Sequence, residues 1–180
     1  NQIDDNCDGT IDESSAVDAQ TWYEDLDVDT YGNASVSQPA CTQPNGYVLD
    51  DTDCNDTSSF TFPGAAENTS VSACMSDQDD DGHAALYAAS GAVSGSDCDD
   101  TNPATFRGAG VLDSPFLCLT DADGDGYGDS NPASVVSAGS DCDDSNANTF
   151  VGSAELESSS LCMEDSDGDG FGNQFAANGV

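Results

Sequence analysis

The sequence predicts a small, irregular and elongated repeat array, built mostly of loops with short β-strands. Three features of the chain predict it. A segment of 44 residues recurs, each copy carries alternating aspartates, and Gly, Pro, Ser and Asn fill the segments where a helix would otherwise follow. Six cysteines mark the period in two series, Cys54, Cys98 and Cys142, then Cys74, Cys118 and Cys162.

The period divides the chain into three repeats and two half-repeats. The predicted boundaries are an N-terminal half-repeat at 1–20, repeat 1 at 21–73, repeat 2 at 74–117, repeat 3 at 118–161 and a C-terminal half-repeat at 162–180. Because the chain opens inside an acidic motif, we expect it to be a mature form or a piece of a longer array.

Charge limits the partners of this chain. It has 36 Asp and Glu residues against one basic residue, Arg107, and a formal net charge of −35. Such a chain repels itself and needs counter-ions to stay compact. Nucleic acid and anionic membrane surfaces are excluded as electrostatic partners, since both are bound by Lys and Arg. No apolar stretch approaches the ~20 residues of a membrane helix, so we expect no membrane insertion.

Four aspartate loops are the candidate metal sites. Aspartates at loop positions 1, 3 and 5, with the carbonyl of position 7 and an oxygen at position 9, match the first half of an EF-hand loop. The candidate ligands are Asp25, Asp27, Asp29, Tyr31 and Asn33; Asp77, Asp79, Asp81 and His83; Asp121, Asp123, Asp125, Tyr127 and Asp129; and Asp165, Asp167, Asp169, Phe171 and Asn173.

The loops are not EF-hands, because position 12 lacks the bidentate glutamate in all four copies. We expect the missing ligands to come from the acidic cluster that follows each loop. These are Asp53 and Asp56; Asp97, Asp99 and Asp100; Asp141, Asp143 and Asp144; and, in the N-terminal half-repeat, Asp4 and Asp8. Carboxylates without imidazole or thiolate favour Ca²⁺, which completes the predicted fold class as an array stabilised by calcium and disulfides.

A Thr-Phe-x-Gly sequence recurs after each acidic cluster, beginning at Thr61, Thr105 and Thr149. We interpret its phenylalanine as the small apolar core of the repeat.

Eight cysteines at regular spacing indicate a disulfide framework and an oxidising compartment, so we expect an extracellular, secreted or cell-surface protein. Two pairing schemes fit the spacing. The one we favour joins cysteines within a repeat, Cys41–Cys54, Cys74–Cys98 and Cys118–Cys142. The competing scheme joins successive repeats, Cys54–Cys74, Cys98–Cys118 and Cys142–Cys162, and leaves Cys7 with Cys41.

The favoured pairing leaves Cys7 and Cys162 at the two ends. Joined tail to head, two copies would give Cys162 and Cys7 nearly the same separation along the chain as Cys118 and Cys142 have within a repeat. This spacing is explained either by cutting from a longer array or by head-to-tail self-association into a filament, with a disulfide and a metal site shared between subunits.

Several phrases of the chain carry a family resemblance: Cys-Thr-Gln-Pro-Asn-Gly-Tyr-Val, Thr-Asp-Cys-Asn-Asp, Phe-Pro-Gly-Ala-Ala-Glu and Asp-Asp-Asn-Cys-Asp-Gly-Thr-Ile-Asp-Glu. Together they resemble the MopE-like metal-binding repeats of bacterial secreted and surface proteins, and more distantly thrombospondin type 3 repeats. The resemblance implies calcium binding, a surface or extracellular setting and loop-rich repeats. Copper, associated with one member of that family, has little support from one histidine and two methionines, Met75 and Met163.

The function that these features predict is a structural calcium-binding repeat protein: a surface or matrix component, or a filament subunit. The alternative is a calcium-dependent adhesion or carbohydrate-binding module, whose site would lie near the aromatic residues Trp22, Tyr23, Tyr31 and Tyr47. We expect no enzyme, since no nucleophile and base pair recurs with the repeat. Sequons at Asn33, Asn55 and Asn68 leave glycans open as a modification.

Overall fold

The computed structural model describes residues 2–3, 10–11, 19–88, 91–132 and 136–173. Within them, short antiparallel strands are separated by turns and irregular loops. The strands are β1 (Gln20–Glu24), β2 (Asn33–Ala40), β3 (Tyr47–Val48), β4 (Thr61–Pro63), β5 (Cys74–Ser76), β6 (Thr105–Arg107), β7 (Cys118–Thr120), β8 (Thr149–Val151) and β9 (Cys162–Glu164).

Three hairpins, β4–β5, β6–β7 and β8–β9, repeat one design. A Thr-Phe-x strand pairs with the strand that starts at the next cysteine, so that Pro63 lies opposite Cys74, Arg107 opposite Cys118 and Val151 opposite Cys162. The glycine that follows each Thr-Phe-x strand has a positive φ near 90°, a conformation open to glycine and costly for other residues. This glycine is what turns the chain out of the first strand.

The first sheet has a different construction. It has three strands in the order β2-β1-β3, and the register of β1 against β2 shifts between Tyr23 and Glu24. Trp22, which stands where later repeats have a cysteine, is buried in β1, and its Nε1 donates a hydrogen bond to the carbonyl of Ala40 at 2.9 Å. Two neighbouring strands therefore hold β1 in place.

The chain divides into two compact units, residues 1–95 and 96–180. The division falls inside the predicted repeat 2. Each hairpin also joins residues on both sides of a predicted repeat boundary, with β4 before and β5 after the boundary at 73 and 74. The hydrogen-bonded unit is thus out of phase with the repeat as read from the sequence.

The core is thin and is built from the hairpins. The threonine of Thr-Phe-x is 1% exposed in all three copies, at Thr61, Thr105 and Thr149. Opposite each phenylalanine lies Met75, Leu119 or Met163, of which the first two are buried. The phenylalanines themselves are only half-buried, so the predicted apolar core is shared between these residues and small alanines.

The predicted architecture of loops, short strands and disulfides in repeated segments is confirmed. The described residues contain no helix, and none that could cross a membrane. Calcium and elongation stay predictions.

Candidate metal centres

The first aspartate of each loop organises the loop backbone. Its Oδ1 accepts the N–H of position 4, and its Oδ2 accepts the N–H of position 6. In the third loop, Asp121 accepts from Gly124 at 2.8 Å and from Gly126 at 2.9 Å. The same two bonds recur at Asp25, Asp77 and Asp165, at 2.8 to 3.3 Å. These donors bend the backbone around one carboxylate, which brings positions 3 and 5 to the same side.

Positions 4 and 6 of every loop take a positive φ. The third and fourth loops use glycine at both, whereas the first has Val28 at 68° and Thr30 at 82°. A β-branched residue in this region is strained, by about 1–2 kcal/mol. The hydrogen bonds of Asp25 to both residues hold the first loop in the shape that glycine gives the third.

Two aspartates in each site are aimed in the same way. The aspartate at position 5 uses Oδ1 to accept the N–H of position 7, as Asp125 does from Tyr127 at 2.8 Å. The first aspartate of the acidic cluster uses Oδ1 to accept the N–H two residues on, as Asp141 does from Asp143 at 3.0 Å. In both cases Oδ2 is left to face another group.

Buried carboxylate oxygens without a hydrogen-bond donor mark the site in repeats 1 and 3. In the described residues they occur at loop positions 3 and 5 and at the first aspartate of the cluster. The six residues correspond in pairs: Asp27 and Asp123, Asp29 and Asp125, Asp53 and Asp141. A buried carboxylate oxygen without a donor is costly, and a bound cation satisfies it. The recurrence of the pattern in two repeats points to a metal.

The acidic cluster docks on the loop through its last aspartate. Oδ1 of Asp56 accepts the N–H of Leu26 at 3.0 Å, and Oδ1 of Asp144 accepts the N–H of Ala122 at 2.8 Å. Both donors are position 2 of their loops. In repeats 1 and 3 the structure therefore brings together loop and cluster ligands that lie far apart in the sequence.

Mutual repulsion and burial perturb these carboxylates. Burial, followed by the neighbouring carboxylates Asp27, Asp53 and Asp25, raises the pKa of Asp29 to about 6. Burial also leads the rise in pKa of Asp141 and of Asp144, each to about 6, with other aspartates of the same site adding to it. The pKa values of Asp27 and Asp125 are raised for the same reasons. A cation in the site would reverse these shifts.

Some predicted ligands have other partners. Oδ1 of Asp99 accepts the hydroxyl of Thr101, and Oδ1 of Asp143 accepts the hydroxyl of Ser145, both at 2.7 Å. Neither residue belongs to a converging group of aspartates in the described residues. Both stabilise the turn that leads to the next strand.

Other candidates form part of the second and fourth sites or lie outside the description. Asp77, Asp79 and Asp81 converge in the first unit, whereas Asp97 and Asp100 belong to the second unit. Asp165, Asp167 and Asp169 also converge, but Asp167 and Asp169 are exposed. Asp4, Asp8 and Cys7 lie outside the described residues.

The side chains at positions 7 and 9 serve the site indirectly. The ring of Tyr31 stacks on Phe62 at 5.0 Å between centroids, and Tyr127 stacks on Phe150 at 4.7 Å. His83 and Phe171 occupy position 7 of the other loops and donate their N–H groups to Asp81 and Asp169. The backbone carbonyl is the candidate ligand that this position offers in all four loops.

Position 9 differs between the copies. In the first loop Nδ2 of Asn33 donates to Oδ2 of Asp56 at 3.3 Å, and in the fourth Nδ2 of Asn173 donates to Ser166 at 2.7 Å. In the third loop Oδ1 of Asp129 accepts the N–H of Asn131 at 2.7 Å.

One recurring contact was missed by the sequence reasoning. The N–H of loop position 8 donates to an oxygen from the preceding hairpin connection: Ala84 to Thr69 at 3.2 Å, Gly128 to Asp113 at 2.9 Å, and Gly172 to Glu157 at 3.1 Å. The three acceptors are 44 residues apart, so the repeat alignment places them at equivalent positions. Because their residue types differ, the sequence alone does not mark them as equivalent contacts.

The favoured disulfide pairing was wrong. The observed bonds are Cys54–Cys74, Cys98–Cys118 and Cys142–Cys162, each closing 20 residues. They follow the competing scheme. In each hairpin the acidic cluster lies just before the first strand, and the second strand begins with a cysteine. Pairing of the two strands therefore brings that cysteine next to the cysteine of the cluster. Since Cys162 is bonded to Cys142, the predicted intermolecular bond between Cys7 and Cys162 is also wrong.

The aromatic residues of the first repeat do not form an open binding face. Trp22 is buried, and Tyr31 stacks on Phe62. Tyr23 and Tyr47 are half-buried in the sheet formed by β1 and β3. Their contacts support packing of the longer first repeat over ligand binding.

The donor set decides which metals fit. Every converging group of three or more ligand-type side chains in the described residues consists of aspartates. The cluster cysteines are disulfide-bonded, and Met75 is buried with Ala66 and Ala84. Oxygen ligands of this kind suit Ca²⁺, Mg²⁺ or Mn²⁺ and do not suit copper, which prefers imidazole, thiolate or thioether.

Comparison with known proteins supports the acidic clusters independently. No curated protein and no solved structure matches this chain. One family model, Cu-binding_MopE, described as "Putative metal-binding motif", matches residues 1–13, 53–71, 97–109 and 141–157. The last three segments begin at the acidic clusters and run through the Thr-Phe-x-Gly strands, so the aspartate loops lie outside them. The predicted resemblance is confirmed: four segments of the chain match the family model named for MopE.

Proposed function

We propose that this chain is a structural calcium-binding repeat protein of the cell exterior, as a surface or matrix component. The observation that carries the proposal is the set of buried carboxylate oxygens without donors, which recurs at Asp27, Asp29 and Asp53 and again at Asp123, Asp125 and Asp141. Hydrogen bonds hold these side chains in place, and aspartates converge around Asp27 with Asp29, around Asp123 with Asp125, and around Asp123 with Asp141. Such groups of carboxylates suit a cation.

Calcium is the ion that we assign to these sites. Ca²⁺ accepts six to eight oxygen ligands in flexible geometry, whereas Mg²⁺ requires a regular octahedron and retains several waters. The loop and the cluster together supply several carboxylates and a backbone carbonyl, which matches the larger number of oxygen ligands that Ca²⁺ accepts. The family name mentions copper, but the aspartates described above do not provide its ligands.

The ion's role is to allow folding. The net charge of −35 and the thin core leave the metal-free chain strongly self-repelling. Because the site exists only in the folded chain, the free energy of calcium binding adds to the free energy of folding. We therefore assign calcium a structural role, and we expect no enzymatic activity.

Location and assembly complete the proposal. Three disulfides are typical of proteins outside the reducing cytoplasm, which supports a secreted or surface setting. Head-to-tail self-association remains part of the proposal in a noncovalent form. The exposed Asp167 and Asp169 of the fourth loop are where the acidic cluster of a second copy would dock.

Removal of calcium from the full chain tests this proposal. We expect EDTA to abolish the near-ultraviolet circular dichroism and to increase the radius of gyration in X-ray scattering toward the ~45 Å of an unfolded chain of this length. Excess Ca²⁺ should restore both signals, and equimolar Mg²⁺ should restore them only in part. A chain whose spectrum and radius are unchanged after verified metal removal would contradict the structural role. Sedimentation with and without Ca²⁺ tests the association.

A further inference from the structure

We propose that repeat 3 holds two cations that share the carboxylate of Asp123, one bound with Asp121 and Asp125 and the other with Asp141 and Asp144. This inference rests on the proposed metal-binding function and goes beyond it, because it assigns a second ion to one repeat and not to repeat 1.

Two converging groups overlap at Asp123. One consists of Asp121, Asp123 and Asp125, and the other of Asp123, Asp141 and Asp144. In each group the candidate ligand atoms all lie within 4.8 Å of one another. Oδ1 of Asp123 accepts the N–H of Asp125 at 3.1 Å, whereas its buried Oδ2 has no donor in the described residues. Since each carboxylate oxygen has two lone pairs, Asp123 is placed to bridge neighbouring cations.

Asp141 is the independent sign of the second ion. Its side chain is 0% exposed, and its Oδ1 accepts the N–H of Asp143 at 3.0 Å. Its Oδ2 is buried without a hydrogen-bond donor in the described residues. Asp141 belongs to the second group and not to the first. A fully buried carboxylate oxygen directed at two other carboxylates needs a positive partner, and the described surroundings supply none.

The charge count also favours two ions. The loop and cluster of repeat 3 bring six carboxylates together: Asp121, Asp123, Asp125, Asp129, Asp141 and Asp144. One divalent cation would leave four negative charges uncompensated in a partly buried site. A second reduces the excess to two, a value that solvent and backbone N–H groups can accommodate.

Repeat 1 shows how the same position is filled without a second ion. At position 9 it has Asn33 where repeat 3 has Asp129. The amide of Asn33 donates to Oδ2 of Asp56, the residue that corresponds to Asp144. The described residues of repeat 1 form one converging group, Asp25, Asp27 and Asp29. Asp53, which corresponds to Asp141, also has a buried Oδ2 without a donor, but it is only half-buried as a residue and belongs to no converging group of the described residues. An amide thus replaces both a carboxylate and the cation it would require.

Counting bound ions in the full chain tests the inference. Native mass spectrometry at saturating Ca²⁺ gives the number per chain, and the difference between variants is the result. We expect Asp144→Asn to bind one ion fewer than the wild type and Asp123→Asn to bind two fewer. Asp143→Asn is the matched control, because it makes the same charge change one residue away, at a side chain bonded to Ser145. It should keep the wild-type count.

Energy transfer between two different lanthanide ions provides a second measurement. Lanthanides replace Ca²⁺, and transfer occurs only between ions held close together. We expect transfer in the wild type and in Asp143→Asn, and its loss in Asp144→Asn. Each variant must show wild-type circular dichroism with calcium, which separates a lost ion from a lost fold.

The outcomes separate the two proposals. A wild type that binds no calcium overturns the proposed function. A wild type that binds calcium but shows no energy transfer, with an Asp144→Asn variant of unchanged ion count, overturns only the shared pair of ions. That second result would mean that one cation collects the ligands of both groups.

Discussion

The first and third aspartate loops reach the same geometry with different residues. Both have aspartates at positions 1, 3 and 5, and both have a docked acidic cluster. The third loop uses Gly124 and Gly126 where the first has Val28 and Thr30. The loop shape is therefore determined by the hydrogen bonds of the position 1 carboxylate, and glycine lowers the cost of that shape without being required for it.

The two loops also differ in how they are anchored. The strand before the third loop, β7, begins at Cys118 and is crosslinked to Cys98. The strand before the first loop, β1, has Trp22 at that position and pairs with β2 and β3. A wider sheet and a buried indole in the first repeat thus replace the covalent bond of the later ones.

Removal of the disulfide that anchors the third loop should have the largest effect on the free energy of unfolding, because the first loop has no corresponding bond. In the chain-entropy model a crosslink that closes 20 residues contributes about 3 kcal/mol. We expect Cys98→Ser with Cys118→Ser to lower the free energy of unfolding by about that amount in urea titrations with excess Ca²⁺. Mass analysis of the remaining disulfides is the control. A loss below about 1 kcal/mol would show that the hairpin anchors the loop without its covalent bond.

Acid should weaken cation binding more in the third site than in the first. Two ligands of the third site, Asp141 and Asp144, have pKa values of about 6, against one in the first, Asp29. Protons compete with the ion at each such group. From pH 7 to pH 5 we therefore expect about a hundredfold loss of affinity in the third site and about tenfold in the first.

In the metal-free chain, a lower pH should instead stabilise the folded state. A carboxylate whose pKa is raised by folding stabilises the folded state at low pH, and this stabilisation is lost as the pH rises through about 6. We expect metal-free protein to be more stable near pH 4 than near pH 7.

The affinities of the first and third sites are measured separately by calcium titrations of Asp123→Asn and Asp27→Asn chains, in each of which one site is disabled. If the calcium affinities of the two sites fell equally between pH 7 and pH 5, the predicted difference between the sites would be wrong.

Exchange of position 6 between the loops should give the smallest effect. Thr30→Gly relieves a positive φ of 82° and is expected to stabilise the chain by up to about 1 kcal/mol. Gly126→Thr introduces the same strain and places a Cβ 3.0 Å from Cγ of Leu112, so we expect a loss of about 1–2 kcal/mol. Thermal unfolding with calcium measures both. Destabilisation by Thr30→Gly would show that the threonine side chain contributes contacts that outweigh its strain.

The sequence predicts the aspartate loops and, in repeats 1 and 3, the approach of the acidic cluster to the loop. The aspartates at positions 1 and 5 accept N–H groups from residues a few positions further along the same loop, and each of these two positions makes the same bonds in every copy. Local chemistry of this kind is written in a few adjacent residues. The roles of Asp99 and Asp143 were not predictable in this way, because the hydroxyl groups of Thr101 and Ser145 compete with the metal for them.

The disulfide pairing was misassigned for a different reason. In a periodic chain every cluster cysteine has one candidate partner before it and one after it, at similar distances along the chain, and spacing alone does not choose between them. The choice is made by the hairpin, which is only three residues long on each strand. Strand pairing on that scale leaves little trace in the sequence beyond the buried threonine.

The observed crosslinks have a mechanical consequence. Each disulfide locks the 20 residues of a hairpin, so tension applied along the chain cannot extend that segment. Between successive disulfides lie the segments from Cys74 to Cys98 and from Cys118 to Cys142, which contain the aspartate loop and lead to its cluster. Fully extended, each of these two segments would span about 80 Å. If the proposed ions are bound, a pulled chain would have to release them before these segments could lengthen, and the segments would shorten again when the ions returned.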